Sequence, residues 1–105
     1  MAGCEDRAEA PHDTIKSLPS ISVLRLLSDG THNKVIVQIT NKTGREGYSV
    51  IGFRCTFFRH GIAQEDSGST ATNVEYGQTV FGSIYGPTNE ISVDEAKCRV
   101  TYANP

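Results

Sequence analysis

Two cysteines constrain this chain more than any other residues. Cys55 and Cys98 lie in separate extended runs, Val50–Phe58 and Ala96–Tyr102, each on the core-facing parity of its run. In the first run Ile51, Phe53, Cys55 and Phe57 share one face; Gly52, Arg54, Thr56 and Phe58 share the other. In the second, Ala96, Cys98, Val100 and Tyr102 oppose Lys97, Arg99 and Thr101. Two inward cysteines on different strands predict a disulfide across a β-sandwich, given strands that are neighbours or face each other. Closing a loop of about 43 residues contributes roughly 4 kcal/mol. The alternative is a pair of buried thiols acting as small apolar side chains in a reducing compartment.

The rest of the pattern agrees with short strands. Ile21 and Val23 alternate, then Leu24 and Leu26 take the opposite parity, which implies a bulge or a strand buried on both faces. Ser28-Asp29-Gly30 marks a turn. Val35, Val37 and Ile39 alternate with Lys34, Gln38 and Thr40, and Asn41-Lys42-Thr43-Gly44 ends that strand with Gly44 free to take positive φ. Arg59-His60-Gly61 closes the next strand, a short one includes Ile62 and Ala63, and Gln64–Thr72 has the composition of a polar loop. Thr79–Tyr85 is extended and stops at Gly86-Pro87; Ala96–Ala103 is the last strand. Six or seven short strands without a long helix predict an all-β, immunoglobulin-like antiparallel sandwich. A small open barrel of the oligonucleotide-binding type is the competing architecture, and the absence of a basic face disfavours it.

Residues 1–19 are polar, with a weak helical stretch at Asp13–Leu18, and read as a flexible lead-in or tether; residues 20–105 form the domain. With 105 residues, 21% charged and a net charge of −2, the chain has no concentrated basic stripe, so nucleic acid is not the expected partner. No apolar run is long enough for a transmembrane helix.

Catalytic and metal-binding patterns are not found. His12, His32 and His60 have no zinc-ligand spacing, and no Cys-x-x-Cys occurs. Asp66–Thr70 lacks the lysine of a phosphate loop, and Ser83 is displaced from a nucleophile elbow. Asn41-Lys42-Thr43 satisfies the glycosylation sequon but serves equally as a turn. The reading is a non-enzyme without cofactor or metal. An enzyme using loop-borne Asp66 and Glu75 needs both carboxylates in one concavity.

The candidate interaction residues are Arg54, Phe58, Arg59, Phe81 and Tyr85, since aromatics and arginine dominate interface hot spots. Against this, Phe58 could pack beneath the 64–72 segment. An open strand edge offers a second route, by β-augmentation. A glycan- or small-ligand-binding module stacking on Tyr76, Phe81 and Tyr85 is the alternative function.

Two resemblances add to this. Ala2-Gly3-Cys4 resembles the end of a bacterial lipobox, with Met1 where leucine is usual. It implies lipidation at Cys4 after removal of a signal peptide, with the polar stretch behind it as a tether; otherwise Cys4 is an ordinary surface thiol. The segment from Lys34 to Tyr102 resembles bacterial FxLYD-type and related immunoglobulin-like accessory domains. The shared features are Val37-Gln38-Ile39-Thr40-Asn41, Phe53-Arg54-Cys55-Thr56-Phe57 and the Gly77-Gln78-Thr79 turn; Phe58-Arg59-His60 replaces the Tyr-Asp pair. The resemblance implies a small extracytoplasmic β-sandwich, often on a lipoprotein, without catalytic residues. The expectation is therefore a periplasmic or membrane-anchored domain with a protein partner in the cell envelope.

Overall fold

The computed structural model describes residues 18–105; Cys4 and most of the expected lead-in lie outside them. Six antiparallel strands follow in order: β1 (Ser20–Ser28), β2 (His32–Thr40), β3 (Tyr48–Arg59), β4 (Ile62–Val74), β5 (Thr79–Thr88) and β6 (Glu95–Asn104). They form two three-stranded sheets, β1-β2-β5 and β4-β3-β6, stacked as a β-sandwich. Strands β3 and β4 cross to the second sheet before β5 returns beside β2, which is Greek-key connectivity.

The core comes from the two strands with the cleanest alternation. Val35, Val37 and Ile39 of β2 face Ile51, Phe53, Cys55 and Phe57 of β3, and all are essentially inaccessible to solvent. Central position in each sheet explains this, since edge strands leave one flank open. The phase slip in β1 is a bulge: Val23 pairs with Val37 and Arg25 with Ile36, leaving Leu24 unpaired and exposed.

Cys55 and Cys98 are bonded. The bridge lies within one sheet rather than across the sandwich, because β3 and β6 are neighbours and the two residues are direct register partners, 4.0 Å apart at Cα. Cys55 is buried beneath the sheets, whereas Cys98, on an edge strand, is half-buried.

Four further expectations need correction. The 64–72 segment is strand, not loop: β4 pairs along β3 from Ile62 to Val74. Its inward positions Ser67, Ser69 and Ala71 stand opposite Cys55, Phe53 and Ile51. Two of these small side chains stand beside the bulky Phe53 and Ile51 and the third beside the bridged Cys55, so no apolar alternation appears. A two-residue turn at His60-Gly61, with φ of 51° and 80°, joins the pair as a type I′ hairpin. Tyr102, expected inward, lies on the outer face. The register slips between Gly52 and Phe53, so Tyr102 pairs with Gly52, its ring fills the space a Cβ would need, and Ala103 turns inward instead. Finally, β5 runs on through Gly86 and Pro87 to Thr88, and the positive φ in the β2–β3 loop falls on Gly47 rather than Gly44.

Two buried asparagines, unanticipated as such, close the ends of the inward face of β2. Asn33 donates from Nδ2 to the carbonyls of Pro87, Thr88 and Ile91 at 3.0, 3.3 and 2.9 Å. This ties β2 to the end of β5 and holds the chain beyond the glycine-proline step. Asn41 accepts at Oδ1 from the N–H groups of Thr43 and Gly44 at 3.1 and 2.8 Å. It donates to the carbonyls of Gly44 and Val74 at 3.0 and 3.3 Å. Both asparagines satisfy main-chain groups that strand ladders leave over, which is the condition for burying them. Asn41 is fully buried in these bonds, so in the folded domain the sequon works as a turn.

Candidate functional site

The five candidate interaction residues do not form one cluster. Arg54 and Phe58 lie on the outer face of β4-β3-β6, Arg59 is exposed at its hairpin end, and Phe81 and Tyr85 project from the opposite outer face, on β5. Strand parity is responsible: each set occupies the outward positions of its own sheet, and the two sheets turn their outer faces away from each other.

On the first face, Arg54 and Arg99 are direct cross-strand partners, an arrangement that like charges disfavour. Asp66 of β4 resolves it. Its carboxylate accepts from Arg54 Nε at 2.6 Å, from Thr56 Oγ1 at 2.7 Å and from both terminal nitrogens of Arg99 at 3.4 Å. The Arg54 bond first, then those from Thr56 and Arg99, hold this carboxyl far below the ordinary carboxylate range. Phe58 pairs with Ala63 and Glu95, and the Lys97 ammonium lies 5.4 Å from its ring. A shallow open depression of about 320 Å³ lies between Arg54 and Tyr102, floored by Gly52 and Gly68. The Arg54 guanidinium that lines it is already engaged by Asp66.

The second face differs. Phe81 is 66% exposed and Tyr85 53%, two outward positions on an edge strand with exposed Ser83 between them. Tyr85 is held in place: the Lys34 ammonium lies 5.3 Å from its ring centroid, and the His32 ring meets it edge-on at 5.9 Å. Asp29 caps the β1–β2 turn by accepting from the N–H groups of His32 and Thr31, both at 3.0 Å. Those bonds, led by His32, lower its pKa to about 2. Phe81 has no ring or cation partner among the described residues. This strand can offer an aromatic surface and free main-chain groups; it brings no acid–base pair together.

The competing chemistries fare differently. Asp66 sits mid-sheet opposite Thr56 and Glu75 lies beyond the end of β4, so roughly 25 Å of extended chain separates the two carboxylates. Tyr76 stands in the β4–β5 turn with the Arg45 guanidinium 5.2 Å from its ring, apart from Tyr85 near the other end of β5. The three aromatics therefore do not form one stacking platform. Among the described residues no group of His, Cys, Asp and Glu could hold a metal ion, and no helix is long and apolar enough to cross a membrane.

Asn33 and Asn41 are the residues that sequence reading missed. Their signal was present: both have the inward parity of Val35, Val37 and Ile39, and polar residues at core parity need partners. Comparison with family models, with curated proteins and with solved structures finds no match to this chain.

Proposed function

We propose that this protein is a non-catalytic extracytoplasmic β-sandwich, lipid-anchored through Cys4 in the bacterial envelope, that acts by protein–protein interaction through β5. The observation that carries the reading is the exposure of Phe81 and Tyr85 on one side of an edge strand. Aromatic side chains supply large contact area at low conformational cost, and single isolated ones need no explanation, but two on one edge strand form a surface. The disulfide supports an oxidising compartment. The lipobox resemblance at Ala2-Gly3-Cys4 supports the anchor, and the FxLYD-type resemblance of Lys34–Tyr102 supports the class of domain.

The test is site-specific photo-crosslinking in the native host, with the probe at residue 81 or 85 and a control at residue 70 on the opposite face. Discrete protein adducts from 81 and 85 in the envelope fraction, and none from 70, are expected. Recovery of the protein from the cytosol, or absence of any adduct, would overturn the reading. Intact mass of the native protein then checks the anchor, through a lipid-sized increment on Cys4.

A further inference from the structure

The open side of β5 has a definite hydrogen-bonding phase. Asn41 N donates to Gln78 O at 3.0 Å, which makes these two a hydrogen-bonded pair. The β2–β5 register keeps the same offset from Thr40↔Thr79 to Lys34↔Tyr85, so the bonded pairs alternate through Ile39–Val80, Val37–Gly82 and Val35–Ile84. The intervening residues Thr79, Phe81, Ser83 and Tyr85 therefore aim their N–H and C=O groups away from β2. Among the described residues no other strand pairs with them. The residues whose main chain faces outward are thus the same ones whose side chains carry the exposed aromatics.

Charge separates β5 from the other edges. Edge strand β1 carries Arg25, β4 carries Glu65 and Asp66, and β6 carries Glu95, Lys97 and Arg99; β5 contains no charged residue. Charged and bulged edges resist pairing with another chain, and β5 lacks the charge. A strand pairing with its own copy about a two-fold axis brings like residues together near that axis. Only an uncharged strand accepts this without repulsion.

We propose that β5 pairs antiparallel with β5 of a second copy of this chain, about a two-fold axis through Ser83. The proposal rests on the reading of β5 as an interaction edge and names its partner. In this register Ser83 meets Ser83 of the partner subunit, and Phe81 meets Tyr85 of the partner subunit, twice by symmetry. All three pairs have outward main-chain groups, so two hydrogen bonds form at each. Moving the axis to Gly82 sets Phe81 against a serine and Tyr85 against a threonine; moving it to Ile84 sets Phe81 against a proline. The Ser83 axis alone makes both aromatic pairs, a cross-strand contact that stabilises a sheet. Along the new sheet Lys34 neighbours Tyr85 and Gln38 neighbours Phe81, so each lysine ends a row whose other end is a glutamine. So short an edge falls below the usual interface size of about 1,200 Å², which makes the dimer weak and concentration-dependent.

Sedimentation of the full chain with Cys4→Ser, from about 1 μM to about 1 mM, spans the affinity expected of so small an interface. A dimer fraction that rises across this range is expected. Ser83→Cys is expected to cross-link into a dimer on oxidation, because Cα atoms of a hydrogen-bonded pair lie about 5.5 Å apart, within disulfide reach. Thr70→Cys, on the opposite face, is the control and should not. Ser83→Pro removes an N–H that β2 does not use, so the sandwich is retained by circular dichroism while association falls at least tenfold. Phe81→Ala with Tyr85→Ala tests the same contact without touching the backbone, and should also weaken association at least tenfold. A monomer at every concentration, a dimer indifferent to both variants, or cross-linking no better at 83 than at 70 overturns the proposal. If it fails while photo-probes at 81 and 85 still capture a different protein, the interaction reading stands and only the second copy is wrong. If no adduct of any kind forms, both fall.

Discussion

On the face made by β4, β3 and β6, Asp66 stands between two arginines, a lysine covers Phe58, and Tyr102 lies over Gly52. On the face made by β1, β2 and β5, Phe81 has no such partner and the strand beneath it has an unused edge. Composition alone ranks the first face higher as a binding surface, since Arg54 and Arg99 both lie on it. The geometry reverses the order. A charged group whose hydrogen bonds are already made within its own sheet must lose them to bind anything else, whereas an exposed ring loses only water. Candidate interface residues are therefore better judged by what they leave unsatisfied than by residue type.

The largest test of the contrast concerns the staple beneath the first face. Replacing Cys55 and Cys98 together by Ala should lower unfolding free energy by about 4 kcal/mol in urea melts. The difference from the parent should nearly vanish in strong reductant; an unchanged midpoint under oxidising conditions would show that the bridge constrains little. Next come the pins at the ends of β2, which hold both sheets. Asn41→Ala leaves the Thr43 and Gly44 N–H groups without their acceptor, removes one donor from the Gly44 and Val74 carbonyls, and should cost about 2–3 kcal/mol. Asn33→Ala should cost a similar amount, and a loss under 0.5 kcal/mol at either site would mean that water replaces the amide fully.

Asp66→Asn breaks the first face directly. The carboxylate is partly exposed, so the expected loss is only about 1 kcal/mol or less, diminished by added salt. Its pH signature is more telling. Folded Asp66 and Asp29 both titrate below their ordinary value of 3.8, Asp29 at about 2. The stability they contribute is complete above about pH 4 and is lost as pH falls towards and through the folded values. Asp66→Asn should therefore flatten the acid limb of the stability profile, whereas an unaltered limb would remove Asp66 as a contributor. The smallest expected effect on stability lies on the second face. Phe81→Ala should change unfolding free energy by no more than about 0.5 kcal/mol while weakening β5-directed contacts. A large destabilisation there would show that Phe81 is part of the fold, and the contrast between the faces would collapse.

Much of the sandwich could be read before any coordinates. Alternation in Val35–Ile39 and Ile51–Phe57 identified these two strands and their inward faces, because a strand buried on one side must repeat with period two. The Val23–Leu24 phase slip pointed to a bulge or a strand buried on both faces, and the pairing with β2 shows the bulge. β4 escaped because its inward side chains are serine and alanine, whose partners only the pairing reveals. Tyr102 escaped because one extra residue in β6 reverses every later side chain. At the candidate site, Phe81 and Tyr85 were legible as sharing one face of their strand, opposite Val80 and Ile84, but which of the two faces looks outward was not, nor was their separation from Arg54 and Phe58. Parity assigns a residue to a face of its own strand and says nothing of which way that sheet looks.

The amino-acid sequence by itself determined the all-β class, the two core strands and the inward placement of both bridging cysteines. These follow from local periodicity and turn chemistry, which act within a few residues. Tertiary structure alone decided that the bridge lies within one sheet, that Asp66 neutralises facing arginines, and that β5 is left as an uncharged open edge. Each of these depends on which strands become neighbours, and strand order is set by how the sheets stack and cross over, not by any pattern within a single strand.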